Sequence, residues 1–74
     1  MILRRFMWVI YKGKVGILTA FDNVQAVVDF VDPEGYTEFA GVKVPVMEIR
    51  QASFNQIPAP RKPDIKIAQQ LGYL

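Results

Sequence analysis

Seventy-four residues suffice for one small domain and exclude any site that needs a cleft between lobes. With no cysteine and no histidine, the chain can form no disulfide and no Cys or His metal site, and it lacks the commonest nucleophile and the commonest general base. Its composition is 51% apolar and only 22% charged, which lies outside the disorder regime, and a net charge of +2 does not mark a nucleic-acid binder.

The chain starts with Met1-Ile2-Leu3-Arg4-Arg5 and an apolar run over residues 6–11. That run is shorter than the roughly 7 to 15 residues of a secretory core, and no stretch approaches the roughly 20 of a membrane span. A cytoplasmic protein with no membrane partner is expected. Residues 8–11 predict a first strand, closed by a tight turn at Lys12-Gly13-Lys14. Residues 15–21 alternate Val15, Ile17, Thr19 and Phe21 against Gly16, Leu18 and Ala20, with Gly16 marking a bulge or a close backbone approach. After a turn at Asp22-Asn23, residues 24–31 place Val24, Ala26, Val28 and Phe30 on one face of a half-buried strand. Asp32-Pro33-Glu34-Gly35 is the clearest turn in the chain and predicts an antiparallel hairpin into residues 36–39. Ala40-Gly41 interrupts that strand, Val42-Lys43-Val44 resumes it, and Pro45 removes a ladder donor. Residues 46–49 suit a single 3₁₀ turn leading to a last strand over residues 50–54.

Five or six short strands in about 55 residues bury one face by curling the sheet on itself. The expected fold is mostly β, a small SH3-like barrel over residues 1–57 with a basic N-terminal arm. No helix long enough to cover an open sheet is visible. Residues 55–63 carry three prolines and predict an extended polyproline-like segment that leaves the barrel. Asp64 then caps a helix of about two turns, ended by Gly72. Residues 58–74 thus form a Pro-rich linker and a short C-terminal helix. Such a helix is unstable alone, so its face of Ile65, Ala68 and Leu71 must dock on its own barrel or on a neighbour.

The segments Gly13-Lys14-Val15-Gly16-Ile17-Leu18, Val28-Asp29-Phe30-Val31-Asp32-Pro33-Glu34-Gly35 and Val44-Pro45-Val46-Met47-Glu48-Ile49-Arg50-Gln51-Ala52 resemble successive strands of an SH3-like barrel. Their order, followed by Ile-Pro-x-x-Arg-x-Pro, is also similar to small barrel proteins of tailed phages, particularly those among the head genes of Mu-like phages. The resemblance covers residues 8–63 and implies a virion or capsid-associated component, or an assembly factor. Pro33-Glu34-Gly35-Tyr36 resembles a turn of the type II, plasmid-encoded dihydrofolate reductases, which are also SH3-like barrels. Their functional Val-Gln-Ile-Tyr stretch is absent, and Val46-Met47-Glu48-Ile49 lacks the Gln and Tyr that would bind substrate and cofactor.

No catalytic residue, metal site, cofactor or small-molecule substrate is expected. Ser53, the only serine, falls in a predicted strand, and the carboxylates read as solvated turns and outer faces. Asp29-x-x-Asp32-x-Glu34 lacks the rhythm of a calcium loop, and Gly13-x-x-Gly16 lacks the rest of a phosphate loop.

Charge is laid out in blocks. Arg4, Arg5, Lys12 and Lys14 stand without an acid in residues 1–14, six acids face Lys43 alone in residues 22–48, and Arg50, Arg61, Lys62 and Lys66 face Asp64 in residues 49–74. Complementary patches on neighbouring copies would steer encounter and fix register. The predicted partner-binding residues are therefore Arg4, Arg5, Arg61, Lys62, Ile65, Lys66, Ala68, Leu71 and Leu74, and the complementary acidic patch is Asp29, Asp32, Glu34 and Glu38. The partner is expected to be protein, either further copies or a larger scaffold such as a capsid. The competing class is a KOW or Tudor-like nucleic-acid-binding barrel, because Arg4-Arg5-Phe6-x-Trp8-x-x-Tyr11-Lys12 interleaves cations with aromatics. The acidic hairpin would repel a phosphate backbone, so any nucleic-acid binding is expected to be weak.

Overall fold

A computed structural model describes residues 2–74. Five strands, β1 (Trp8–Tyr11), β2 (Lys14–Phe21), β3 (Gln25–Val31), β4 (Thr37–Pro45) and β5 (Arg50–Gln51), form one antiparallel sheet in the order β4-β3-β2-β1-β5. The turns follow from local chemistry. Lys12 and Gly13 both take positive φ, 49° and 80°, the twist that a two-residue hairpin connection requires between the paired Tyr11 and Lys14. One carboxylate oxygen of Asp22 accepts from the Val24 and Gln25 amides, each at 2.7 Å. Asp32 does the same for Glu34 and Tyr36, while Gly35 takes φ 90° and donates to the Asp32 carbonyl.

The strand expected to break at Ala40-Gly41 continues to Pro45. The registry shifts there instead, with Gly41 at φ 66° and its amide held by Asp29 Oδ1 at 2.8 Å, so a bulge absorbs the irregularity. The last strand is shorter than expected. It stops at Gln51 because Ser53 and Gln56 form a reciprocal capping box that starts a 3₁₀ turn over Phe54–Gln56.

The sheet is not closed among the described residues, since β4 and β5 remain its edges. It nevertheless curls. Four strand spacings would put β4 and β5 about 19 Å apart in a flat sheet, whereas residues 46–49, mostly in the 3₁₀ turn Val46–Glu48, span only about 13 Å. One core lies on the inner face, formed by Met7, Val9, Leu18, Ala26, Val28, Phe30, Val44 and Ile49. Ala26, Val28 and Phe30 occupy the face that their alternation predicts, while Val24 lies outside β3 and is exposed. On β2 the buried side is Gly16 and Leu18, and Val15, Ile17 and Thr19 are half-buried on the other.

The expected extended tail is the main correction. Residues 55–63 do not leave the sheet. They wind through 3₁₀ turns at Phe54–Gln56 and Ala59–Arg61, and Ile57, Ala68 and Tyr73 pack with Trp8, Ile10 and Ala52 in a second core on the outer face. The physical reason is β1, whose side chains are buried on both faces and whose outer face needs a cover. The helix α1 (Ile65–Gln70) begins at the Asp64 cap as expected and buries only Ala68, with Gly72 at φ 84° turning the chain so that Tyr73 can enter. Tyr73 Oη accepts from the Trp8 backbone N–H at 2.8 Å, and its own carbonyl accepts from Phe54 N.

Gly16 is required by close approach: a Cβ there would meet Val28 Cγ1 and stand 2.8 Å from the Asp29 carbonyl oxygen. Gly16→Ala is expected to destabilise the fold by about 1 to 3 kcal/mol, read as a lower urea midpoint. Asp22 supplies a second check. Its backbone bonds from Gln25 and Val24 favour the ionised form and hold its carboxyl below the ordinary value. The stability it contributes is present above the ordinary carboxylate range and is lost as pH falls through the lowered folded value. The difference in urea midpoint between the native chain and Asp22→Ala should therefore be full at neutral pH and shrink on acidification below that range.

Candidate functional site: the hairpin groove and the N-terminal elbow

The acidic hairpin and the proline-bearing tail, read from the sequence as surfaces for different copies, meet within one chain. Arg61 Nη1 donates to the Gly35 carbonyl at 2.6 Å, and its guanidinium lies 5.4 Å from the centre of the Trp8 ring. Lys62 Nζ donates to the carbonyls of Phe54 and Ile57, both at 2.9 Å, closing the turn that brings the prolines back. Two cations assigned to a partner thus also bind the chain's own backbone.

Between these elements lies a groove of about 590 Å³. Asp32, Pro33, Glu38 and Phe39 form its hairpin wall, Ile57 and Pro58 lie on the tail side, and Lys14 and Lys62 also line it. Phe39 is 54% exposed, opposite the buried Phe30 in the ladder. Hydrophobic residues on an exposed strand ordinarily turn one face inward, but Thr37 to Gly41 are all exposed, so this part of the hairpin stands clear of the body.

The second feature is an elbow before β1. Phe6 takes φ 70° and is 65% exposed, an outlier for a bulky residue that costs on the order of 1 to 3 kcal/mol. Its amide donates to Leu18 O, Arg5 Nε donates to Thr19 O at 3.1 Å, and the Arg5 guanidinium lies 5.1 Å from the Phe6 ring centre. Arg4 Nη2 donates to Leu71 O at 2.7 Å, tying the elbow to the end of α1. A smaller hollow of about 290 Å³ lies here, lined by Arg4, Arg5, Phe6, Met7, Leu71 and Tyr73.

The other predicted residues distribute as follows. Ile65 and Leu74 are exposed, Leu71 is exposed at the elbow, Lys66 is exposed with its amide on the Asp64 cap, and Ala68 is wholly buried in the second core. Ala68 is therefore not available on the surface. Of the acids, Asp29 and Asp32 hold backbone amides with one oxygen each, and Glu34 and Glu38 are exposed. Trp8 is buried in the second core, and Tyr11 packs toward Phe30 on the inner core, 6.3 Å between ring centres. Among the described residues no group of three or more carboxylates gathers to hold a metal ion, and no helix is long and apolar enough to cross a membrane. Phe6 and Phe39 were not singled out as binding residues by the sequence. Phe6 carries no local signal for positive φ, and Phe39 sits in an alternating stretch that reads as core.

No protein-family model, curated protein or solved structure matches the chain.

The tail's covering role has a direct check. Tyr73→Phe leaves the buried Trp8 N–H without its acceptor and is expected to cost about 1 to 3 kcal/mol. Deleting residues 58–74 should destabilise the isolated chain further and shift the emission of its single tryptophan to longer wavelength in denaturant titrations.

Proposed function

We propose that this chain is a small SH3-like barrel that works as a non-enzymatic protein–protein interaction module, a structural or assembly component binding neighbouring copies or a larger scaffold. The strand order, the 3₁₀ turn before β5 and the curl forced by residues 46–49 support the barrel. The observation that carries the interaction reading is the groove beside Phe39, lined by the apolar Phe39, Ile57 and Pro58 together with the charged Lys14, Asp32, Glu38 and Lys62, and walled by two elements that the fold already holds in place. The sequence supports a role without catalysis, since it contains neither histidine nor cysteine and a single serine. The resemblance of residues 8–63 to small head-cluster barrels of Mu-like phages favours a capsid-associated scaffold.

Mass measured by light scattering over a range of concentrations tests this. Self-association is expected, and Phe39→Thr should weaken it by about 5- to 30-fold, since burying the exposed part of a Phe is worth about 1 to 2 kcal/mol. Binding to a random single-stranded oligonucleotide should be weak and disappear between about 50 and 200 mM salt. A persistent monomer that binds a defined nucleic-acid sequence with sub-micromolar affinity at physiological salt would replace this reading with the KOW or Tudor-like one.

A further inference from the structure

We propose that copies of this chain join head to tail, the Phe6 ring of one seated in the groove beside Phe39 of the next. This rests on the reading of the chain as a self-associating module and specifies the two surfaces involved.

Phe6 has the properties of an anchor. Its ring lies mostly in water and adds little to the chain's own core, yet its backbone is kept in a conformation that bulky residues avoid. Such a conformation persists only where the surroundings over-determine it, and here the bonds from Phe6 N–H, Arg5 and Arg4 to three carbonyls do so. An aromatic ring on a backbone already fixed loses little freedom on docking.

The receiving surface cannot belong to the same copy. Phe6 precedes β1 at one end of the β1–β2 hairpin, and the groove opens beside Gly13 and Lys14 at the other. The five residue steps from Phe6 to the end of β1 at Tyr11 separate the two by about 16 Å, beyond the reach of a side chain. A second copy supplies a groove of ample volume whose lining includes Phe39, Ile57 and Pro58. It also supplies charge: Arg4 and Arg5 flank the ring, and Asp32 and Glu38 stand on the hairpin wall. Lys14 and Lys62 line the groove as well, with the Lys62 ammonium bound to two carbonyls of its own chain. Only an orientation that turns the arginines toward the hairpin wall pairs opposite charges, which fixes the register of docking. Because the joined surfaces differ, the contact is heterologous and propagates into a ring or a filament.

Two complementary variants test the contact. Phe6→Gly removes the ring and suits the positive φ, so its urea midpoint should equal or exceed that of the native chain. Phe39→Thr removes the aromatic ring from the hairpin wall of the groove and keeps a strand-forming residue. Glu38→Lys, at an exposed position, is the second groove variant should Phe39→Thr lose its fold. Each variant alone is expected to be monomeric by light scattering at concentrations where the native chain assembles. An equimolar mixture of Phe6→Gly with a groove variant should form a dimer and nothing larger, because one intact elbow meets one intact groove and growth then stops. Assembly of either variant alone, or a mixture that stays monomeric, overturns the head-to-tail contact while native self-association stands. A native chain that is monomeric throughout overturns the contact together with the binding of further copies.

Discussion

The strand β1 must be covered on both faces, and most of the architecture answers that requirement. Met7 and Val9 point into the inner core and Trp8 and Ile10 into the outer one, so four consecutive residues are buried. A sheet curling on itself can cover one side of such a strand. The other side needs a separate layer, and the segment after β5 provides it. Ile57, Ala68 and Tyr73 fill that layer, and the polar groups that accompany them are placed where Trp8 needs partners: Tyr73 Oη on its amide and Arg61 over its ring. A chain without cysteine, and so without a disulfide to staple it, is stabilised by packing its tail this way.

The legible parts of the fold are those decided within a few residues. Lys12-Gly13, Asp22 and Asp32-Pro33-Glu34-Gly35 make their turns through φ preferences and side-chain bonds to adjacent amides, and each turn lies where the sequence places it. The 3₁₀ turn after Pro45 and the Asp64 cap are local in the same sense. The prolines of residues 58–63 were misleading for a related reason. They state a backbone preference, which is compatible with short 3₁₀ turns as well as with an extended segment, and they do not state which surface lies beside them. The missing signal was upstream, in the unalternating run Met7-Trp8-Val9-Ile10. Apolar residues in succession mark a strand buried on both faces, and therefore imply a cover that no other segment could form.

The candidate site was less legible, because charge counts along a chain do not say which groups become neighbours. The basic tail and the acidic hairpin are complementary in sequence, and the fold brings them together, but Arg61 and Lys62 bind carbonyl oxygens of Gly35, Phe54 and Ile57. These carbonyls lie at short 3₁₀ turns and at the hairpin tip, outside the regular ladder, and Phe54 O accepts from the Ile57 amide as well as from Lys62. Asp29 and Asp32 make the converse choice and accept from amides at the bulge and the turn. Charged side chains such as Arg61, Lys62, Asp29 and Asp32 thus act first as local donors and acceptors, and the exposed pair Glu34 and Glu38 retains the character of a surface patch.

An open sheet offers two ways to meet a partner, through its edges or through its faces, and the distribution of irregularities separates them. The β5 edge is two residues long. The β4 edge is nine residues long, but Gly41 bends it at mid-strand with φ 66°, and Pro45 at its end has no N–H to donate. A bulge and a proline are devices that keep edge strands from pairing indiscriminately. Faces and loops carry the opposite signature: Phe6 and Phe39 are held by bonded backbones with their rings in water. Protection of the edges together with exposure of two fixed aromatic rings favours recognition by side chains, where shape and charge set register, over strand addition, where any extended backbone would serve.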